Sequence, residues 1–277
     1  MSFAYYNGIF GDFNEIRLPL SDRSIFFGDG VYDAAIGRNG KIFLEDLHVE
    51  RFLGNAKKIG LPLAYGKNEL SYLLHKTVED SRIPEFFLYF QASGYLDERL
   101  HAPRSNQKSN LLITVKPYSL PNEKTELSLV TFSDTRQSFC NIKTLNLLGS
   151  VMASEYAHDS GADEAVFVLG ETVTECSRSN IFIVSGSKLI THPENEKILP
   201  GITRRELLLS AKKHGIPTEE RRFSLSELID ADDVLVTSTS KLALRAKWLD
   251  GIEISKRKSD IAGTLIDDMF KCYRDFC

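Results

Sequence analysis

The stretch ADEAVFVLGETVTECSRSNIFIVSGSKLITH, residues 162–192, decides the fold of this chain. Its β-branched and aromatic residues come in short runs that are typical of strands. The pairs Leu169-Gly170 and Ser185-Gly186 supply the turn residues between the runs. The stretch therefore predicts a meander of three strands.

Helices and strands alternate on both sides of this meander. Downstream we expect a helix at 204–215, a strand at 233–240 and a helix at the C-terminus. Upstream we expect a helix at 145–159 that ends by Gly161. The earlier part predicts a hairpin turn at 37–41, a helix from Leu47 to Gly60 with Asp46 as N-cap, a helix at 68–81, and strands at 86–93 and 109–118. The polar, proline-containing segment near 117–124 is the best linker candidate. We therefore predict an α+β protein with an N-terminal domain at 1–117, a linker at 118–124 and a C-terminal domain at 125–277.

Composition excludes several classes of function. The 277 residues are 42% hydrophobic, which allows a sizeable core, and the net charge is −4. Without a basic stripe we expect no nucleic-acid partner, and without a long apolar run we expect no membrane span. The 4 cysteines fit neither a zinc pattern nor a disulfide framework, and no signal peptide is evident. We therefore expect a cytoplasmic protein with reduced thiols and no metal site.

A lysine in an apolar setting is the first candidate for chemistry. Lys143 lies in NIKTLNLLGS, residues 141–150, where the chain is expected to pass from a strand end into a buried helix. Lysine is almost never fully buried unless it is paired or used. The alternative is a side chain on a solvated edge that extends its amine to water.

Two segments could hold an anion. GITRRE, residues 201–206, precedes a helix, and its backbone N–H groups with the Thr203 hydroxyl could hold a phosphate. Thr203 and Glu206 also have the spacing of a capping box, which would make the segment an ordinary helix start. LVTSTSKL, residues 235–242, ends a strand in hydroxyl residues and fits either a second anion cradle or a turn.

Three further groups contain charged residues. Glu175 precedes a polar run with Ser179 and Asn180 that is typical of a strand end facing a cleft. Arg99 and His101 could form a carboxylate clamp or belong to a solvated loop. The glycines of FFGDGVYD, residues 26–33, lack the full dinucleotide fingerprint, so NAD binding is rejected.

Taken together, these motifs resemble the class IV aminotransferases of fold type IV, and most closely the D-amino-acid aminotransferases. The resemblance runs nearly end to end, through FGDGVYD, HVERF, IKTLNLL, GADEAVF, VTECSRSN, ILPGITRRE and VTSTS. It implies a two-domain pyridoxal phosphate enzyme with a small N-terminal α/β domain and a larger, β-rich C-terminal domain with helices. It also implies amino acid and 2-oxo acid substrates and a homodimer.

The resemblance assigns a role to each candidate residue. Lys143 matches the lysine that forms a Schiff base with the cofactor, and Glu175 matches the carboxylate beside the pyridine nitrogen. The expected cofactor-binding residues are Arg51, Ser179, Asn180, Leu199, Ile202, Thr203, Ser238 and Thr239. The expected substrate-binding residues are Tyr32, Arg99 and His101.

This chain departs from the family pattern near Glu175. Arg178 stands where many relatives have a small hydroxyl residue, so it could also bind a substrate carboxylate. The predicted activity is transamination of D-alanine or D-glutamate type substrates. A branched-chain L-amino-acid aminotransferase or an aminodeoxychorismate lyase would keep the same cofactor residues, and a non-catalytic phosphate-ligand binding protein is the alternative from another class.

Overall fold

The structure is a computed structural model that describes residues 2–94, 99–102, 108–255 and 259–276. It contains two compact units. Unit 1 comprises the residues up to Ser119 together with Ile142–Asn146, and unit 2 comprises Leu120–Asn141 and Leu147–Phe276. The short segment around Lys143, which the predicted boundaries placed in the C-terminal domain, thus packs with unit 1.

Unit 1 is a sheet with helices. Its elements are β1 (Phe3–Tyr6), β2 (Ile9–Asp12), α1 (Arg23–Phe27), β3 (Gly30–Arg38), β4 (Lys41–Ile42), α2 (Glu45–Lys58), α3 (Lys67–Ser81), β5 (Glu85–Ser93) and β6 (Asn110–Pro117). Within the described residues the strands form one antiparallel sheet in the order β2-β1-β6-β5-β3-β4. Helices α2 and α3 pack against this sheet, and Phe52, Leu70, Leu74 and Phe90 are buried between them.

Local sequence signals in unit 1 were good guides to turns and poorer guides to helix starts. The hairpin at 37–41 is confirmed, since Arg38 pairs with Lys41 and both Asn39 and Gly40 have positive φ. Gly60, with φ +68°, follows the end of α2 as predicted. Asp46 is not the N-cap, because α2 begins at Glu45 after Leu44, and Asp46 instead pairs with Lys67.

Unit 2 is built around a larger sheet. Its elements are β7 (Glu126–Ser133), α4 (Leu148–Asp159), β8 (Glu164–Leu169), β9 (Thr172–Cys176), β10 (Asn180–Ser185), β11 (Lys188–Thr191), α5 (Ile202–Lys213), β12 (Thr218–Glu220), β13 (Phe223–Ser224), α6 (Leu225–Ile229), β14 (Asp233–Ser238), β15 (Leu242–Leu249), β16 (Ile252–Glu253) and α7 (Asp260–Phe276). In the described part of the chain, the strand order is β12-β11-β10-β14-β15-β7-β8-β9-β13, with β16 beside β15.

The meander predicted for residues 162–192 is wrong. The turns at Leu169-Gly170 and Ser185-Gly186 do close hairpins, which are β8–β9 and β10–β11. However, β14, β15 and β7 lie between the two hairpins in the sheet. β10 contains the continuous apolar run Ile181–Val184, buried throughout, and it pairs with the equally apolar β14. Such runs are typical of strands buried on both faces, and local pattern cannot specify their distant partners.

The helices of unit 2 place two expected functional segments. Helix α4 begins at Leu148 rather than 145, so the Lys143 segment is irregular backbone. Helix α5 packs against β14 and β15, and it begins at Ile202 after Gly201, two residues earlier than a Thr203 cap requires. Within the described residues, none of the helices has the length and apolar character needed to span a membrane.

Candidate active site

Lys143 lies beside β3 in unit 1. Its carbonyl accepts a hydrogen bond from Tyr32 N at 3.0 Å, and Leu145 N donates to Gly30 O at 3.1 Å. A short antiparallel bridge between Val31 and Thr144 completes this pairing. The half-buried amine lies 4.3 Å from the ring centroid of Tyr32. The structure thus brings together two residues that the sequence singled out separately.

Gly30 makes this close approach possible. A Cβ at this position would overlap the carbonyl oxygen of Ala92 and would lie 2.7 Å from Leu145 Cδ1. Real Cβ atoms essentially never make such contacts. The second glycine of the GDG motif is therefore required for chain packing around Lys143.

A buried carboxylate in unit 1 holds Arg51. Asp33 has no exposed surface, and Arg51 donates to it through Nε and Nη2, both at 2.8 Å. His48 Nδ1 is also 2.8 Å from Asp33. Burial alone would raise the pKa of Asp33, but Arg51 and His48 hold it well below its usual range. Burial lowers the pKa of His48, so its ring is neutral and donates through Nδ1.

Sequence reasoning named Arg51 but missed Asp33 and His48. A signal was available for Asp33, because a carboxylate in the apolar strand VYDAAI needs a partner if it is buried. His48 was visible three residues before Arg51, which places the two on one side of a helix.

Arg99 and His101 lie on an exposed loop of unit 1, and the adjoining residues 95–98 and 103–107 fall outside the described residues. The two side chains share one neighbour. The Phe27 ring centroid is 5.4 Å from Arg99 Cζ and 5.1 Å from the His101 ring centroid. Arg23, which pairs with Asp29, donates to the carbonyls of Leu100 and His101 and was not anticipated from the sequence.

Glu175 lies on β9 in unit 2 and is buried. Its Oε2 accepts hydrogen bonds from Asn180 Nδ2 at 3.1 Å and Leu199 N at 3.0 Å, and its Oε1 accepts one from Arg136. Burial raises the pKa of Glu175 to about 7, although Arg136 opposes the shift. The structure therefore joins Glu175, Asn180 and Leu199, which the sequence proposed as separate site residues.

Arg136 was missed because its segment, SDTRQSF, looks like a polar turn. Its guanidinium joins two carboxylates, since it also donates to Asp134 from Nε at 3.0 Å and from Nη2 at 2.9 Å. Its Cζ lies 4.0 Å from the Phe167 ring centroid. The two carboxylates, Asp134 and Glu175, lie far apart in the sequence. No local sequence pattern could therefore reveal this cluster.

The start of α5 is left open for an anion. Gly201 is the N-cap and offers no side-chain hydrogen bond, so the predicted capping box of Thr203 and Glu206 is wrong. The first backbone N–H groups of a helix lack intrahelical partners and carry a partial positive charge. The hydroxyl residue Thr203 is buried in this first turn. A side chain at position 201 is excluded, because its Cβ would overlap Asn180 Oδ1.

The end of β14 adjoins the same segment through Asn180. Asn180 pairs with Thr237 across the sheet, and its Nδ2 donates to Leu199 O at 2.9 Å. Thr237 Oγ1 is buried without a partner among the described residues. Ser238 ends β14, with its Oγ 3.4 Å from Ser240 Oγ, and Thr239 follows. Asn180 therefore links the end of β14 to the segment that leads into α5.

Two further predicted residues contact the carboxylate of Glu164. Ser179 Oγ donates to the fully buried Glu164 at 2.9 Å, and Glu164 also accepts from Lys241. Arg178 donates from its backbone N to Glu164 at 2.6 Å, while its exposed guanidinium donates to Asp163 O at 3.2 Å. The structure thus brings Ser179 to a structural ion pair and leaves most of Arg178 in solvent.

Comparison with known proteins identifies the class. The amino-transferase class IV family matches residues 30–247, which include Lys143, Glu175 and the start of α5. The chain belongs to this family and is an aminotransferase that depends on pyridoxal phosphate.

Among its relatives is the D-alanine aminotransferase of Staphylococcus aureus (strain N315), 39% identical over 261 residues and covering 93% of each chain. The D-alanine aminotransferase of Listeria monocytogenes serotype 4b is 37% identical over 249 residues, covering 88% of this chain and 86% of its own.

Solved structures confirm the expected type IV fold. The branched-chain aminotransferase from Thermoproteus uzoniensis, solved with norvaline, has a TM-score of 0.89 at 24% identity and covers 97% of this chain and 93% of its own. The branched-chain amino acid aminotransferase of Escherichia coli has a TM-score of 0.91 at 19% identity and covers 98% of this chain and 94% of its own.

The residues present fit pyridoxal phosphate. The uncapped start of α5, Gly201 and the unpartnered Thr237 hydroxyl suit a phosphate group. The buried Glu175, whose pKa is raised to about 7, suits a cationic nitrogen beside it. Both features lie in unit 2.

Proposed function

We propose that this enzyme moves an amino group between D-amino acids of the D-alanine and D-glutamate type and 2-oxo acids. The observation that carries the proposal is the shared packing of Arg99 and His101 on Phe27. These two side chains are the donors that the resemblance assigns to the substrate carboxylate, and guanidinium groups bind carboxylates with two parallel hydrogen bonds. The identity of 39% to a D-alanine aminotransferase supports the same substrate class.

Lys143 carries the cofactor and moves the proton in this proposal. Its amine lies over the face of Tyr32. Among the described residues, it forms no ion pair with a carboxylate. An unpaired, half-buried amine can act as a nucleophile and then as a base. Lys143 Nζ would take the proton from the substrate Cα, and Tyr32 would line the substrate's side.

Glu175 would keep the pyridine nitrogen of the cofactor protonated. When bound, pyridoxal phosphate supplies an electron sink for the bond that breaks at the substrate Cα. A carboxylate beside the ring nitrogen keeps that nitrogen protonated, and Glu175 is oriented for this by Asn180 and Leu199 N. Leu199 itself would pack against the ring.

The phosphate would be held by the start of α5 and the end of β14. Hydroxyl groups would come from Thr203, Ser238 and Thr239, and a backbone N–H group from Ile202. The remaining predicted cofactor-binding residues beside this segment are Ser179 and Asn180. Arg51 is also assigned to the phosphate, although Asp33 already holds two of its nitrogens. This pairing would fix the direction of the guanidinium.

Half-reactions test the substrate class. The holoenzyme is mixed with D-alanine, L-alanine, D-glutamate or branched L-amino acids, and the cofactor absorbance is followed. We expect D-alanine and D-glutamate to react fastest. Faster reaction with branched L-amino acids would favour the branched-chain alternative, and pyruvate release from aminodeoxychorismate would favour the lyase.

A second experiment tests Lys143. Borohydride should bleach the holoenzyme and fix the cofactor to Lys143, identified by peptide mapping, and Lys143→Ala should fold but fail to turn over. Lys247→Ala is the matched control, because Lys247 pairs with Glu126 and Glu253, which are not predicted site residues. Normal turnover by Lys143→Ala would contradict the assignment, and a colourless protein would favour the non-catalytic binding protein.

The homodimer that the resemblance implies is supported by an apolar helix face. Leu148, Val151, Met152 and Tyr156 lie on one side of α4 and are exposed. Apolar patches of this kind commonly mark protein interfaces. We expect sedimentation to show a dimer that Met152→Glu weakens and that the control Leu209→Glu, on the exposed side of α5, leaves intact.

A cytoplasmic location is supported by the thiols. Cys140, Cys176 and Cys272 are free in the described part of the chain. Unpaired thiols are usual in reducing compartments. Cell fractionation with antibody detection would test this part of the proposal.

A further inference from the structure

Arg136 lies in the irregular segment after β7 and is largely buried. Its guanidinium makes contacts in four directions. It donates to Asp134, to Glu175 and, at 3.1 Å, to the carbonyl of Lys197, and it stacks on Phe167. A side chain fixed on all sides in this way holds its partners in one geometry.

The cluster has more negative than positive charge. Asp134 and Glu175 share the single cation Arg136, so the three groups sum to −1 when ionised. Asp134 also accepts from Thr174 Oγ1 at 2.8 Å, and its pKa is lowered by Arg136 and Thr174 against the effect of burial. Glu175 is therefore the carboxylate with too little positive charge beside it.

Among the described residues, Arg136 is the cation with the largest effect on Glu175. The strongest charge effects on Glu175 come from Arg136 and Asp134, and Glu175 also interacts with Cys140 and Cys176. Burial raises the pKa of both thiols, so they are neutral near pH 7. A cation brought to Glu175 from outside the chain would balance the cluster.

Glu175 also has room for one more donor. An ionised carboxylate offers about four acceptor positions. Among the described residues, Asn180 and Leu199 N occupy Oε2, and Arg136 takes one position on Oε1. The remaining position lies on the oxygen that Arg136 holds.

We propose that Arg136 is a positioning residue that fixes Glu175 Oε1 and keeps Glu175 ionised for the cofactor's pyridine nitrogen. Asp134 orients Arg136 through two parallel hydrogen bonds and thereby completes the arrangement. The proposal rests on the proposed function, because that function assigns Glu175 to the ring nitrogen. Loss of the arginine's charge would leave Glu175 protonated and the nitrogen without its counter-ion.

The experiment compares Arg136→Gln and Arg136→Lys with a matched arginine. Arg221 also joins two carboxylates, Glu219 and Glu227, and donates to a backbone carbonyl, but it is half-exposed. Arg221→Gln is therefore the control. The ionisation of Glu175 is read in the cofactor-free full chain from pH-dependent infrared difference spectra, with Glu175→Gln identifying its carboxyl band.

We expect Arg136→Gln to raise the pKa of Glu175 by about one unit or more. In the holoenzyme the D-alanine half-reaction should slow by about 100-fold, and Arg136→Lys should recover part of both effects. An unchanged Glu175 titration in Arg136→Gln would overturn the proposal, as would slowing by Arg221→Gln of equal size. If Arg136→Gln does not fold, Arg136→Lys decides, because a lysine that leaves titration and rate unaltered shows that the fork geometry has no role.

Failure of the proposed function gives a different result. In that case wild type would show no D-amino-acid half-reaction, while the infrared titration in the cofactor-free chain would still report the hold of Arg136 on Glu175.

Discussion

Asp33 in unit 1 and Glu175 in unit 2 are both buried carboxylates that accept hydrogen bonds from an arginine, yet their pKa values move in opposite directions. Asp33 accepts two hydrogen bonds from Arg51 and has a second donor in neutral His48. Glu175 shares Arg136 with Asp134. Burial opposes ionisation of both groups, so the difference arises from their donors: Arg51 gives Asp33 two hydrogen bonds, whereas Arg136 gives Glu175 one and also holds Asp134.

This difference separates structural from functional carboxylates. A carboxylate with balanced charge stabilises its surroundings and needs nothing further. One with unbalanced charge is available to a cation from outside, and strongly shifted groups of this kind often mark functional sites. In unit 1, Asp33 thus holds helix α2 on strand β3. In unit 2, Glu175 is available to bind a cation from outside the chain.

The largest expected effect is on the rate of Glu175→Gln. A neutral amide cannot keep the ring nitrogen protonated, so we expect the D-alanine half-reaction to slow by about 10²–10⁴-fold. The cofactor-free protein should be no less stable than wild type at pH 8, because the change removes excess negative charge. Stopped-flow absorbance and thermal unfolding measure the two, with Glu219→Gln as control. Equal rates would show that Glu175 does not serve the nitrogen.

Asp33→Asn should lower the stability of the protein, unlike Glu175→Gln, whose main effect is on the rate. It removes the buried carboxylate that pairs with Arg51, and breaking a buried pair costs about 3–5 kcal/mol of the free energy of unfolding. Urea denaturation of the cofactor-free protein measures the loss, with the surface change Asp80→Asn as control. Stability within error of wild type would break the comparison, since Asp33 would then not be a structural carboxylate.

The pH dependence of stability should differ between the two carboxylates. The folded protein holds the Glu175 proton more tightly than the unfolded chain, so stability falls as pH rises from the ordinary value of 4.5 to about 7. A shift of this size is worth roughly 3 kcal/mol. The Asp33 contribution is present above its ordinary value of 3.8 and is lost only in acid. Urea titrations of the cofactor-free chain, wild type against Glu175→Gln, should differ between pH 4.5 and 7, and parallel curves would contradict the assignment.

Sequence analysis succeeded where the chemistry is local. The hairpin at 37–41 and the glycine after α2 were predicted correctly because each depends on a backbone conformation that few residues adopt. The type IV fold was predicted from the family resemblance and not from the pattern, which gave only an α+β protein. The strand order of unit 2 was wrong because pairing between β10 and β14 joins segments about 50 residues apart.

The same distinction applies to the site. Lys143 and Glu175 could be named because their motifs are compact, although their roles remain proposals. Arg136 could not be assigned, since it acts on Glu175, which lies far from it in the sequence, and the charge balance of the cluster is visible only after folding. The predicted capping box of Thr203 and Glu206 is wrong for a local reason. The helix begins at Ile202 with Gly201 as its N-cap, so Thr203 already lies inside the helix.

The smallest effects should show which unit supplies the cation for the substrate. Arg99 in unit 1 packs on Phe27 beside His101, whereas Arg178 in unit 2 is exposed and donates to a backbone carbonyl. A charge-assisted hydrogen bond to a carboxylate is worth about 1.5–3 kcal/mol, or one to two powers of ten in kcat/KM. We expect Arg99→Ala to lower kcat/KM for D-alanine by that amount and Arg178→Ala to matter mainly for D-glutamate, which has a second carboxylate. The four constants are measured with saturating cofactor so that phosphate-site effects drop out. A large loss for D-alanine with Arg178→Ala and a mild one with Arg99→Ala would show that Arg178, in unit 2, binds the substrate carboxylate in place of Arg99.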